Sequence, residues 1–222
     1  MLIEAGLLSG GIAVVASAVG GVGLAFAIHG APWRSWLLDG ERQWVWFTSM
    51  AVLLVVWAMK AGITPGLSVR FLLVTALTLM HGWRLAVVAA ALVLAVLSAV
   101  GAAEWSSYGA NLLCTALIPA LFTARLHELV HERLPHNYFI YFFVTAFLGA
   151  AVAFNVAGLA RFALMALSGS LDTARIGAEY FAILPFMSFG EAVANGMIIG
   201  MAVVYRPAWV MSFDDRLYLY RQ

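Results

Sequence analysis

The sharpest chemical pattern in the sequence is His127-Glu128-Leu129-Val130-His131. On a helix, an H-E-x-x-H spacing sets two imidazoles on one face with a carboxylate beside them, the layout a zinc metalloprotease uses. His127 and His131 are therefore the metal candidates, and a zinc protease is the remotest of the functional readings. Three features weigh against it. A third ligand is not evident, because His136 follows Pro135 and falls past the expected helix end. The motif sits among Arg125, Glu132 and Arg133, where a helix leaves an apolar run, as a solvated connector does. A five-residue pattern with two free positions also arises readily by chance. No catalytic residue and no cofactor are assigned, and the chain is not read as an enzyme.

Polar groups inside apolar runs carry more weight, because a membrane makes them costly and they mark either a pathway or a paired contact between helices. Glu191 lies in mid-run, preceded by Pro185 and Gly190 and followed by Asn195 and Gly196. Arg161 is its candidate partner from the preceding helix. Asn111 stands beside Gly109 at the start of another run. For Glu191 a pathway role and a packing role both stay open; for Asn111 the packing role is favoured. There is no G-x-S-x-G elbow, P-loop or G-x-G-x-x-G after a strand. ATP is thus not expected to bind this chain, and ATP-driven transport needs separate ATPases.

The elements that must position these residues follow from the scarcity of charge. Hydrophobic residues make up 64% of the 222 and charged residues 10%, against about 25% charged in an ordinary soluble domain. Lipid must be the solvent, so the bilayer is the first partner. A net charge of +1 excludes a nucleic-acid partner, which requires a basic patch. Cys114 is the only cysteine, which rules out an internal disulfide and leaves a buried packing thiol.

A helix needs about 20 apolar residues to cross the hydrocarbon core. Runs at 5–28, 43–59, 85–103, 105–124 and 137–160 are uncharged, and 180–205 is interrupted only by Glu191. The stretch 71–83 is too short to span unaided, and His81-Gly82-Trp83-Arg84 turns the chain after it. The expected fold is therefore all-α: a polytopic bundle of six spans plus one short segment, seven passes in all, since lipid leaves no backbone group unpaired. Ala16-Ser17-Ala18 looks like a signal cleavage site, yet the first cation is Arg34. A secretory signal opens with basic residues, so 5–28 reads as a retained first span.

With the amino terminus outside, the inner loops hold Arg34, Arg42, Arg84, Arg125, Arg133, Arg206, Arg216 and Arg221, and the outer loops Lys60, Arg70 and Arg175. Positive residues concentrate on the cytoplasmic side of membrane proteins, which fixes the expected orientation. The bundle is placed at 1–205 and a cytoplasmic tail at 206–222. Trp33, Trp36, Trp44, Trp46, Trp105 and Trp209 fall near helix ends as interfacial anchors. Gly6-x-x-x-Gly10, Gly20-Gly21-x-Gly23 and Gly196-x-x-x-Gly200 allow close helix approach, within one chain rather than between copies.

In this order the motifs resemble a known family. Met1-Leu2-Ile3-Glu4-Ala5-Gly6-Leu7-Leu8-Ser9 looks like the opening of the CbiM/NikM proteins, the substrate-capturing membrane subunits of energy-coupling factor transporters. Pro65-Gly66-Leu67-Ser68, Gly82-Trp83, Gly109-Ala110-Asn111, Arg133-Leu134-Pro135-His136-Asn137 and Phe189-Gly190-Glu191-x-x-x-Asn195-Gly196 agree with it. The closing Val204-Tyr205-Arg206-Pro207-Ala208-Trp209 and Phe213-Asp214-Asp215 are similar to a proteobacterial branch. The resemblance implies a seven-helix bundle in a bacterial inner membrane, with its amino terminus tucked into the core, and a coupling subunit and separate ATPases as partners. It also implies a cobalt or nickel site made of the terminal amine, a His at position two and a second His. Here position two is Leu2, and Arg70 stands where the second His is expected. The resemblance thus points to a substrate pocket at Met1, Glu4, Arg70, Asn111 and Glu191 with an altered substrate. The alternative is a non-transporting accessory subunit of a larger membrane complex.

Overall fold

The computed structural model describes residues 2–3, 8–59, 61–64, 67–169, 173–214 and 218. The chain is a helical bundle: α1 (Gly10–Gly30), a single turn α2 (Trp33–Leu37), α3 (Gly40–Ala58) and α4 (Val74–Ala99). These are followed by α5 (Trp105–Arg133) and α6 (Tyr138–Leu167), then α7 (Thr173–Tyr205) and a closing 3-10 turn, Pro207–Trp209. Among the described residues five stretches, α1, α4, α5, α6 and Phe181–Tyr205 of α7, are long and apolar enough to cross a membrane. The sixth run read from the sequence is α3, whose Gly40-Glu41-Arg42-Gln43 start dilutes its hydropathy. One departure from all-helical structure is a small antiparallel hairpin, β1 (Ala61–Thr64) and β2 (Leu67–Val69), with Ala61 opposite Val69 and Gly62 opposite Ser68.

The short stretch 71–83 is the first arm of a broken helix. Residues 74–81 are helical, Gly82 leaves helical geometry at φ 78° and ψ 154°, and 83–99 resume the helix. Eight residues rise about 12 Å, less than half of a hydrocarbon core about 30 Å thick. This arm runs beside α7. Leu79 and Met80 at its end accept hydrogen bonds from the Ser212 and Met211 amides, at 3.1 and 3.2 Å. The second arm turns toward the far end of α1, where Arg84 Nη1 donates to the Gly30 carbonyl at 2.8 Å and caps its negative end.

The second arm is the centre of the core. Leu85, Ala86, Val87, Ala89, Ala90, Val93, Leu94 and Leu97 are buried, and α1, α3 and α5 pack around it. Its alanines keep those helices close, which is how lipid-solvated bundles gain van der Waals contact. Glycines do the same elsewhere. A Cβ at Gly20 would run into the Gly109 backbone, and Gly196 and Gly200 seat Phe147 and Phe142 of α6. Gly20, Gly23, Gly196 and Gly200 thus serve packing within the chain, whereas Gly10 and Gly21 face open space and Gly6 lies outside the described residues. α5 widens to π-helical geometry at Leu113–Leu117, just ahead of Pro119, whose ring cannot fit an unrelieved α-helix.

One of the expected tryptophan anchors is not an anchor. Trp46 is buried, and its Nε1 donates to the Leu85 carbonyl at 3.1 Å. It ties α3 to the second arm instead of facing an interface. The described part of the segment after Tyr205 lies on the bundle, with Val210, Phe213 and Tyr218 buried in one cluster with Tyr141.

Candidate functional site

The first polar centre forms where the amino-terminal residues enter the bundle. Leu2 and Ile3 are buried, and backbone outside a helix but inside a bundle must find hydrogen-bond partners. Asn111 of α5 supplies them. The Ile3 amide donates to Asn111 Oδ1 at 2.6 Å and Asn111 Nδ2 donates to the Ile3 carbonyl at 3.2 Å. Ser107 Oγ, one turn earlier, donates to the same carbonyl at 2.8 Å. One side chain thus reproduces a strand's donor–acceptor pair. Asn111 is fully buried, and Met1 and Glu4 lie outside the described residues.

The second centre surrounds Glu191. The first arm of α4 starts at Leu73, a non-glycine residue at φ 54° without a capping side chain. Its first amides therefore lack local acceptors, and α7 provides them from across the bundle. Glu191 Oε2 accepts the Leu72 amide at 2.8 Å and Oε1 accepts the Leu73 amide at 2.6 Å. Asn195 Oδ1 accepts the Ala76 amide at 2.7 Å, and Asn195 Nδ2 donates to Glu191 Oε1 at 2.8 Å. The helix dipole offers partial positive charge at the same place. Arg161, the candidate partner, is not among the groups bonded to Glu191, which are the Leu72 and Leu73 amides and Asn195. Amides already occupy the carboxylate.

Arg70 is buried immediately before this knot, with Nη1 donating to the Trp57 carbonyl. Trp57 Nε1 in turn donates to the Leu72 carbonyl at 3.3 Å. The end of α3, the strand exit at Arg70 and the start of α4 are thereby tied together. Among the described residues of the expected set, Asn111 makes no direct bond to Arg70 or Glu191. Asn195, Ser107 and Trp57 complete the two centres. Asn195 and Ser107 each stand four residues from a singled-out polar residue on the same helix, a spacing that shares one face.

The histidines behave differently from the sequence expectation. Leu134 and Pro135 end α5 as expected, but the chain folds back and sets the His136 ring 4.6 Å from His131. His127 and His131 rings are 6.1 Å apart, and His131 Nδ1 contacts Tyr218 Oη at 3.4 Å. Among the described residues no group of three His, Cys, Asp or Glu side chains is placed to hold a metal ion. Glu128 is instead bonded to Arg125 at 2.9 Å on the exposed side.

A broken-helix membrane bundle with an amino-terminal segment clamped inside it is the class of protein this geometry defines. The chain belongs to the CbiM family, described as the cobalt uptake substrate-specific transmembrane region, whose model matches residues 3–209. A crystal structure of a truncated transition metal transporter shares the fold at a TM-score of 0.77 and 20% identity, over 92% of this chain and 99% of that one. A second transition metal transporter structure matches at 0.76 and 19% identity, over 96% of this chain and 98% of the other. No curated protein matches.

Proposed function

We propose that the chain is the substrate-capturing membrane subunit of an energy-coupling factor transporter, with its amino terminus outside and seven passes through a bacterial inner membrane. The observation that carries this reading is the clamp of Ile3 by Asn111 and Ser107 in a chain matched by the family over residues 3–209. An inserted amino-terminal segment is the feature a capture site at Met1, Glu4, Arg70, Asn111 and Glu191 requires. A coupling subunit and separate ATPases then supply the energy.

The substrate differs from an imidazole-held divalent ion. Leu2 is an apolar residue in the main core cluster, and it offers no donor where the resemblance expects one. Arg70 adds a buried fixed cation where the resemblance expects the second His. Two unit charges 4 Å apart interact by about 4 kcal/mol at an effective dielectric of about 20, and a divalent ion doubles that repulsion. One terminal amine does not offset it. Calorimetric titration with nickel and cobalt is the test: the wild-type chain binds neither tightly, and Leu2→His with Arg70→His gains affinity. Micromolar or tighter nickel binding by the wild type overturns the substrate assignment.

The buried Leu2 and Arg70 also favour a second reading, in which the scaffold has become an accessory subunit that transports nothing. The partners that co-purify with the chain separate the two.

A further inference from the structure

Between α3 and α7 runs a groove of about 480 Å³, floored by the first arm of α4. Val52 and Leu53 of α3, Leu77 of the arm and Ile198 of α7 make its walls apolar. Val52 is 47% exposed and Trp44, beside it, 76%, so the groove opens to the surrounding lipid. At one end it meets a second cavity of about 120 Å³ with a different character, lined by Asp39, Arg42, Ser35 and His81. Glu41, Val45, Met80 and Trp209 line both. Trp209 Nε1 donates to Glu41 Oε1 at 2.8 Å across the junction, and indole rings of this kind settle at headgroup depth.

An apolar channel continuous with a charged cavity fits an amphiphile. The head cavity offers a guanidinium, Arg42, and two carboxylates, Asp39 and Glu41. Arg42 and Asp39 pair at 3.0 Å but both stay about half exposed, so each can also face a ligand. One cation against two anions disfavours a head carrying phosphate alone and suits one carrying phosphate and ammonium together. We propose that these joined cavities bind one zwitterionic phospholipid with a primary ammonium head. One of its acyl chains lies along the α3–α7 groove and the other stays in the surrounding lipid, its phosphate faces Arg42, and its ammonium faces Asp39 and Glu41. The lipid fills the gap beside α3 and braces the segment carrying Trp209 against it. The groove backs onto the Glu191 centre, since Leu73 and Ala76 line it and donate their amides to Glu191 and Asn195, but the lipid site stands whether or not the chain transports.

The full chain, purified from its membranes in mild detergent, is the sample, and native mass spectrometry reads the bound lipid. One phosphatidylethanolamine per chain is expected, displaced poorly by added phosphatidylglycerol. Val52→Trp, which fills the groove, lowers retention about tenfold, while Val19→Trp on the exposed face of α1 leaves it unchanged. Glu41→Gln keeps the groove open and an acceptor for Trp209, and shifts preference toward phosphatidylglycerol. Equal retention of the two lipids by the wild type overturns the head assignment. Unchanged retention in Val52→Trp overturns the groove.

Discussion

Glu191 keeps a carboxyl group in a helix interior by meeting two amides and one asparagine rather than a cation. Removing such an acceptor leaves buried N–H groups without partners, at about 1–3 kcal/mol each. Glu191→Ala is therefore expected to lower stability by about 2–5 kcal/mol, and Glu191→Gln by less, because an amide oxygen still accepts. Melting curves of the two variants in detergent check this, and a larger loss in Gln than in Ala contradicts it. At Glu128 the expectation is the reverse. It sits on an exposed side with Arg125, where an ion pair contributes little, so Glu128→Gln leaves function intact in an uptake assay. Stoichiometric zinc lost on His127→Ala would count against that. At this scale the sequence exposed Glu191 and Asn111 by their setting in apolar runs. It hid their partners, since Leu72 and Ile3 lie 119 and 108 residues away and donate through backbone that carries no side-chain signature. His136 was hidden for another reason: Pro135 marks a helix end but not the direction the chain takes afterwards.

The broken α4 is the element that organises both ends of the bundle. Gly82 has φ and ψ that only glycine adopts comfortably, a backbone state costing other residues about 1–3 kcal/mol. A Cβ there also lies 2.6 Å from Met211 Cε. Gly82→Ala should therefore lower the melting temperature more than Gly101→Ala, where φ is also positive but the space is open. Equal losses would show that the break at Gly82 does not fix the arm. The shortness of 71–83 and the turn at Gly82-Trp83 were readable, because both depend on local length and glycine. The hairpin at 61–69 was not, since strands of four and three residues are too brief to show alternation. Trp46 was misread because position near a helix end does not say which way an indole faces, and the Leu85 carbonyl draws it inward.

For the molecule as a whole, the shortage of charge made the membrane bundle legible from composition alone, and the cation distribution predicts a cytoplasmic carboxyl-terminal tail. Ser106→Cys and Asp214→Cys should react with an impermeant thiol reagent from opposite sides of the membrane; Cys114 is buried and adds little background. Labelling of both from one side rejects the seven-pass arrangement. Function was less legible, because the order of motifs shows the family while the cargo depends on a few residues near the amino terminus, of which Met1 and Glu4 lie outside the described residues. The most direct measurement of the central claim is the composition of the complex that this chain forms in native membranes. Affinity purification with quantitative mass spectrometry is expected to recover a coupling subunit and a pair of ATPases in fixed proportion to the chain. Recovery of an unrelated membrane enzyme in that proportion, with no ATPase, would contradict a role in substrate capture.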